Sequence, residues 1–126
     1  MGNCCVSNYI DPEIEECENV NELKQILEDK KIPLIKEKEN FDILLNNNKE
    51  NIENNNFEIN EKNNEIQKVL EEYQRIINLL VKYEKKINVI KIKKLIHSIC
   101  VFGNEKDFAS MKFIIDKIEN YCVSHY

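Results

Sequence analysis

Tryptophan is absent from this chain, and glycine and proline occur only twice each. So few turn-formers exclude a fold made of tight β-hairpins, whose two-residue loops depend on glycine or asparagine–glycine pairs. Threonine is missing as well, and no Asn-x-Ser/Thr glycosylation acceptor occurs. Long apolar runs are also lacking. Runs such as Ile76-Ile77 followed by Leu79-Leu80-Val81 fall far short of the ~20 residues that a membrane-spanning helix needs. The start carries no basic-then-apolar leader pattern. With only Gly2 and Gly103 available, no phosphate-binding loop can form, and no HExxH, GxSxG or EF-hand pattern is present. No catalytic residue, cofactor or small-molecule substrate is therefore expected. A formal net charge of −5 argues against nucleic acid as a partner.

What is present is helix-forming. Hydrophobic residues make up 42% of the 126 and charged residues 33%, with Lys, Glu, Leu and Ile abundant. This composition and length predict one all-α domain, a small three- or four-helix bundle. Residues 1–18 read as a flexible, acidic N-terminal connector whose charge would hold the folded part off an anionic surface. The helical domain is expected over 19–126. Asn19 with Glu22 resembles a capping box, followed by Val20, Leu23, Ile26 and Leu27 at helical spacing. Pro33 should end that helix near Lys31, leave Ile32 extended, and open another helix carrying Phe41, Leu44 and Leu45.

Asparagine dominates residues 46–64, which predicts a loop or a weakly held helical extension, because its side chain competes with the helix backbone. Through this stretch runs one regular signal. Leu45, Ile52, Ile59, Ile66, Tyr73, Leu80 and Ile87 recur every seven residues, the a position of a heptad. Val69, Ile76, Tyr83 and Ile90 supply the d position. A long heptad-patterned helix is thus predicted from about Asn60 to Ile87. Beyond Asn88, a C-terminal helical hairpin follows. Its first helix carries Ile92, Leu95, Ile96, Ile99 and Phe102 and should stop at Gly103 as a left-handed residue. Its second should be capped by Asn104, with Phe108, Met111, Ile114, Ile115, Ile118 and Tyr121 as its stripe.

Two side-chain groupings invite a chemical reading. His97-x-x-Cys100 and Cys122-x-x-His125 supply zinc-type ligands. In the predicted hairpin, however, they lie roughly 20 to 30 Å apart at a rise of 1.5 Å per residue, so no metal site is expected. Cys100 then becomes a small buried hydrophobe and His97 a solvated side chain. Five cysteines, an odd number, fit a reducing compartment better than a disulfide framework. The second grouping is basic. Lys82, Lys85, Lys86 and Lys93, with Lys91 and Lys94 nearby, fall on the outward side of the heptad frame. They read either as a solvated face or as a patch for anionic lipid or an acidic partner. The heptad stripe Ile66, Tyr73, Leu80 and Ile87 reads as core, or as a docking surface for a partner helix.

The first five residues, Met1-Gly2-Asn3-Cys4-Cys5, carry the most specific signal. Gly2 is placed for myristoylation, and Cys4 and Cys5 for palmitoylation, although Val6 stands where the simple pattern has Ser or Thr. Two acyl chains hold a protein on a bilayer where one holds it only marginally. This start, together with the Lys-, Ile- and Asn-rich composition, resembles small dually acylated membrane-associated proteins of apicomplexan (malaria) parasites. The helical body is not part of that likeness. The resemblance implies a scaffold or tether on the cytosolic face of the plasma membrane, the inner membrane complex or another organelle. The expectation is therefore a lipid-anchored, non-enzymatic adaptor with a membrane and a protein as its partners. The alternatives are a soluble coiled-coil subunit docking through the heptad face and, third, a small metal- or redox-binding protein.

Overall fold

The computed structural model of the chain describes residues 10–47 and 53–124. The described residues form five α-helices and no strand. These are α1 (Pro12–Glu15), α2 (Val20–Asn47), α3 (Glu53–Lys82), α4 (Val89–Asn104) and α5 (Phe108–Ser124), with a 3-10 turn at Glu84–Lys86 between α3 and α4. Gly2, Cys4, Cys5, Ile52, His125 and residues 1–9 of the expected flexible N-terminus lie outside the described residues.

The apolar stripes pack as two antiparallel hairpins side by side. Helix α2 packs broadly against α3, α3 against α5, and α5 against α4, while α4 returns to α2 to close a four-helix ring. Cross-links fix the directions. Lys31 bonds to Gln74, and Asn63 to Asp42, so α2 and α3 are antiparallel. Lys68 stacks on the Phe108 ring, and Arg75 reaches Asp116 and Glu119, so α5 runs parallel to α3. The core takes Leu23 and Leu27 from α2, and Ile66, Val69, Tyr73, Ile76 and Leu80 from α3. Ile92, Ile96 and Ile99 come from α4, and Met111, Ile115 and Ile118 from α5. Each such side chain contributes about 1.5–3 kcal/mol on leaving water.

Several boundaries differ from those the sequence predicts. Pro33 does not end a helix; it sits within α2 with its side chain exposed. Its missing N–H leaves the carbonyl of Asp29, itself an exposed residue, to water. The buried residues Leu27 and Leu34 on either side keep the helix continuous by packing. In the asparagine stretch the helical extension, the second of the two expected alternatives, is the one observed: helix α2 runs to Asn47 and α3 is already helical at Glu53. At its other end α3 stops at Lys82, short of Ile87, which follows the 3-10 turn with extended backbone (φ −84°, ψ 129°).

Gly103 is not a left-handed stop, since no glycine among the described residues has positive φ. It lies inside α4, where a Cβ would meet the Tyr73 hydroxyl at 2.0 Å. The glycine therefore admits a buried tyrosine from the opposite hairpin. The left-handed residue is Lys106 (φ 58°). Asn104 closes α4 instead of opening α5. Asp107 caps α5 in its place, accepting hydrogen bonds from the Ser110 amide (3.1 Å) and hydroxyl (2.7 Å). Those two bonds hold its carboxyl below the usual carboxylate range. Asn88 caps α4, and Asn19 caps α2 by accepting from the Glu22 amide at 2.9 Å. Glu22 reaches back to the Glu18 amide rather than to Asn19, a capping box displaced by one residue.

The α2–α3 hairpin is much longer than the other. Helices α2 and α3 have 28 and 30 residues, against 16 and 17 in α4 and α5. Lys106, in the α4–α5 turn, pairs with Glu37, and α5 begins level with Lys68. Residues 42–47 and 53–64 therefore run past the four-helix base as a two-helix arm, about 18 Å long at 1.5 Å per residue. Ile43, Leu44 and Phe57 are exposed on it.

Candidate functional site

The largest departure from expectation lies next to the N-terminal segment. The residues expected to be a solvated connector are folded onto the bundle from Ile10 onward. Pro12 at the first helical position, Asp11 as N-cap and Glu13 and Glu15 in the first turn make α1 locally favourable. Ile14, Cys17 and Val20 then share one buried face. This apolar spacing within the acidic run was the available signal for a folded segment, and the folded unit begins before residue 19.

Two hydrogen bonds fasten α1 to α4. The Asp11 amide donates to His97 Nδ1 at 3.2 Å, and the Lys93 ammonium donates to the Glu15 carbonyl at the end of α1. His97 is thus half-buried and engaged rather than solvated. These contacts run α1 antiparallel to α4 and set Ile10 towards the middle of that helix. Glu13 and Glu16 turn to the opposite side, lining a surface depression with Cys17, Glu22, Gln25 and Ile26.

Of the lysines expected in one patch, Lys82, Lys85 and Lys86 are exposed, and Lys82 lies over the Tyr83 ring. Lys93 does not join them, because its ammonium holds α1. The lysines exposed on α4 are Lys91 and Lys94. Ile90, expected to be a buried heptad residue, is 79% exposed, because the heptad frame ends with α3 and α4 starts a new helical phase. In that phase Ile90, Lys94 and Val101 fall at i, i+4 and i+11 and form the outward stripe of α4, with His97 at its edge engaged by α1. Ile92, Ile96 and Ile99 form its buried face.

The docking stripe is not open to a partner. Ile66, Tyr73 and Leu80 are at most 1% exposed and Ile87 only 9%, all inside the four-helix base. The sharing of one seam between core and docking is resolved in favour of core.

Cys17, Cys100 and Cys122 are buried thiols. Burial pushes all three upward, Cys100 to about 11, so they stay protonated and poorly nucleophilic at neutral pH. No group of three or more His, Cys, Asp or Glu side chains among the described residues could hold a metal ion. A charged cluster unsuspected from the sequence surrounds Arg75. The guanidinium binds Asp116 and Glu119 (2.8 Å) on α5 and Glu72 (3.5 Å) on its own helix. The Arg75 hydrogen bond holds the Asp116 carboxyl below its ordinary range. Charged residues 41 and 44 positions apart in sequence give no periodic signal, which is why this link is invisible in one dimension.

No protein-family model matches the chain, and no curated protein or solved structure does either. No described helix is long and apolar enough to cross a membrane.

Proposed function

We propose that this chain is a lipid-anchored, non-enzymatic adaptor on the cytosolic face of a membrane, held by a myristoyl group on Gly2 and palmitoyl groups on Cys4 and Cys5. The observation that carries the reading is the Met-Gly-Asn-Cys-Cys start. The resemblance to dually acylated apicomplexan proteins adds to it and suggests the plasma membrane or inner membrane complex as the location. Thioester-linked palmitate is removable, which makes the second signal the regulable one. Support also comes from the contrast among the cysteines, since the thiols at 17, 100 and 122 are buried in the core. The apolar side chains exposed on the arm, Ile43, Leu44 and Phe57, offer contacts for a protein partner.

Docking of a partner through Ile66, Tyr73, Leu80 and Ile87 would require the base to open. The coiled-coil subunit is therefore the weaker reading. The deciding experiment is intact mass spectrometry of the protein made in a eukaryotic cell, with membrane fractionation of wild type, Gly2→Ala and Cys4→Ala/Cys5→Ala. Myristate and thioester-linked palmitate on the wild type, with both variants released to the soluble fraction, is the expected result. An unmodified N-terminus with unchanged fractionation would sink the proposal.

A further inference from the structure

Acylation at residues 2, 4 and 5 sets a short leash. The chain is already packed at Ile10, and the Asp11 amide is bonded to His97. Five residue steps separate Cys5 from Ile10, and an extended chain spans at most about 3.6 Å per residue, so the gap is no more than about 18 Å. This is less than the width of the bundle with its side chains. The folded domain cannot tumble freely beneath the bilayer, and the surface next to Ile10 must lie near the lipid.

That surface is the outward side of α4, and its chemistry is unlike the rest of the chain. The segment 85–104 has no aspartate or glutamate in a protein of net charge −5; Lys91 and Lys94 are exposed on α4 and Lys85 and Lys86 on the turn before it, while Lys93 is engaged by α1. Two exposed apolar side chains, Ile90 (79%) and Val101 (38%), bracket Lys94 on one stripe, with Lys91 on its flank. The stripe extends about 17 Å along the helix. An apolar side chain flanked by lysines suits a headgroup boundary, where the hydrocarbon enters and the ammonium stays with phosphate.

Resting on the acylation reading, we infer that the outer face of α4, with Ile90, Lys91, Lys94 and Val101 at its centre, lies against an anionic lipid leaflet and fixes the orientation of the bundle on the membrane. Helix α1 acts as the clamp. Lys93 and His97 hold it to the flank of α4, so the acyl chains and the basic face approach the bilayer together. The α2–α3 arm, a separate part of the bundle, is then carried at a defined attitude towards a protein partner.

The test uses the full-length chain coupled through the thiols at positions 4 and 5 to a maleimide-bearing lipid, with Cys17, Cys100 and Cys122 protected by burial. Lysine acetylation rates are then read by mass spectrometry on phosphatidylcholine vesicles with or without about 30% phosphatidylserine. With the anionic lipid, Lys91 and Lys94 should react about fivefold more slowly than in solution, while Lys36 and Lys62 keep their rates. In Lys91→Glu/Lys94→Glu, Lys85 should return to its solution rate; the same charge change at Lys36 and Lys62 should leave the protection of Lys91 and Lys94 intact. All four positions are exposed, so neither variant threatens the fold. Equal rates at all lysines, or protection centred on Lys36 and Lys62, overturns the inference. So does protection by added polyglutamate but not by vesicles, which would assign the face to an acidic protein. Because the coupling is chemical, the outcome is independent of cellular acylation. Protection without acylation in cells would reject the anchor and keep the face, whereas acylation without protection would do the reverse.

Discussion

The two ends of α3 have the same heptad pattern and different surroundings. From Ile66 to Leu80 the seam is enclosed by the ring of helices, and Tyr73 crosses the core to meet Gly103. Before Ile66 the same helix runs out along α2 as the arm. Ile59 there is only half-buried, Phe57 is exposed, and Asn63 Oδ1 is a buried oxygen without a hydrogen-bond partner among the described residues. A seven-residue repeat thus specifies that a helix has an apolar side, but the number of neighbours on that side sets how strongly it is held. The base is the more fully enclosed part. The two helices of the arm are joined by a half-buried seam and the Asn63–Asp42 bond, while the exposed ion pairs Lys38–Asp42 and Lys62–Glu58 lie within single helices, where such pairs contribute about 0–1 kcal/mol.

The contrast can be broken or sharpened by substitution. The largest effect belongs to the base. Ile96→Ala, at a fully buried position, should cost about 2–5 kcal/mol in urea unfolding, because the enclosed site cannot collapse around the cavity. Gly103→Ala comes next. The gain in helix propensity is outweighed by the clash with Tyr73, giving a loss of about 1–3 kcal/mol that Tyr73→Phe in the same chain should partly relieve. A double mutant no better than the single would refute that contact as the cause.

Pro33→Ala has the opposite sign. Restoring the amide to an exposed helix interior should raise stability by about 1–2 kcal/mol, less than the full ~3 kcal/mol because the unfolded chain also gains freedom. A lower melting temperature would mean that the break in α2 is needed for packing. Arg75→Ala should cost about 1 kcal/mol at neutral pH, since its partners are substantially exposed. The pH dependence follows from the depressed Asp116 carboxyl. The stability it confers is complete above the unfolded-state value of about 3.9 and is lost as pH falls through the folded-state value. Arg75→Ala should therefore flatten the acid limb of the stability curve. Smallest of all, Phe57→Ser on the arm should change stability by less than about 0.5 kcal/mol. A loss comparable to Ile96→Ala would abolish the distinction between base and arm.

The buried faces of α4 and α5 were legible because each is an uninterrupted helical stripe, and Ile92, Ile96, Ile99, Met111, Ile115 and Ile118 fall where the spacing predicts. The element ends were not, because caps are decided by neighbours. Gly103 has the residue type of a helix stop but is required by Tyr73, and Pro33 has that of a breaker but is overridden by Leu27 and Leu34. At the candidate site, the lysines were visible as a cluster, but the helical phase that separates Lys94 from Lys93 depends on where α4 begins. The docking of α1 was hidden by its glutamates. The buried apolar residue of the helix is Ile14, flanked by Ile10 and Cys17, and its polar fastening comes from residues of α4 nearly 80 or more positions away.

That distance also orders events during synthesis. The side of α4 that bonds to Asp11 and Glu15 does not exist until residue 97 has left the ribosome. At about 5–20 residues per second, α1 waits roughly 4–16 seconds for the α4 side chains that fasten it. Once α4 arrives, the segment from Ile10 to Cys17 is drawn onto the bundle. A non-local contact of a few side chains thereby defers the docking of α1 until about three quarters of the chain has been made.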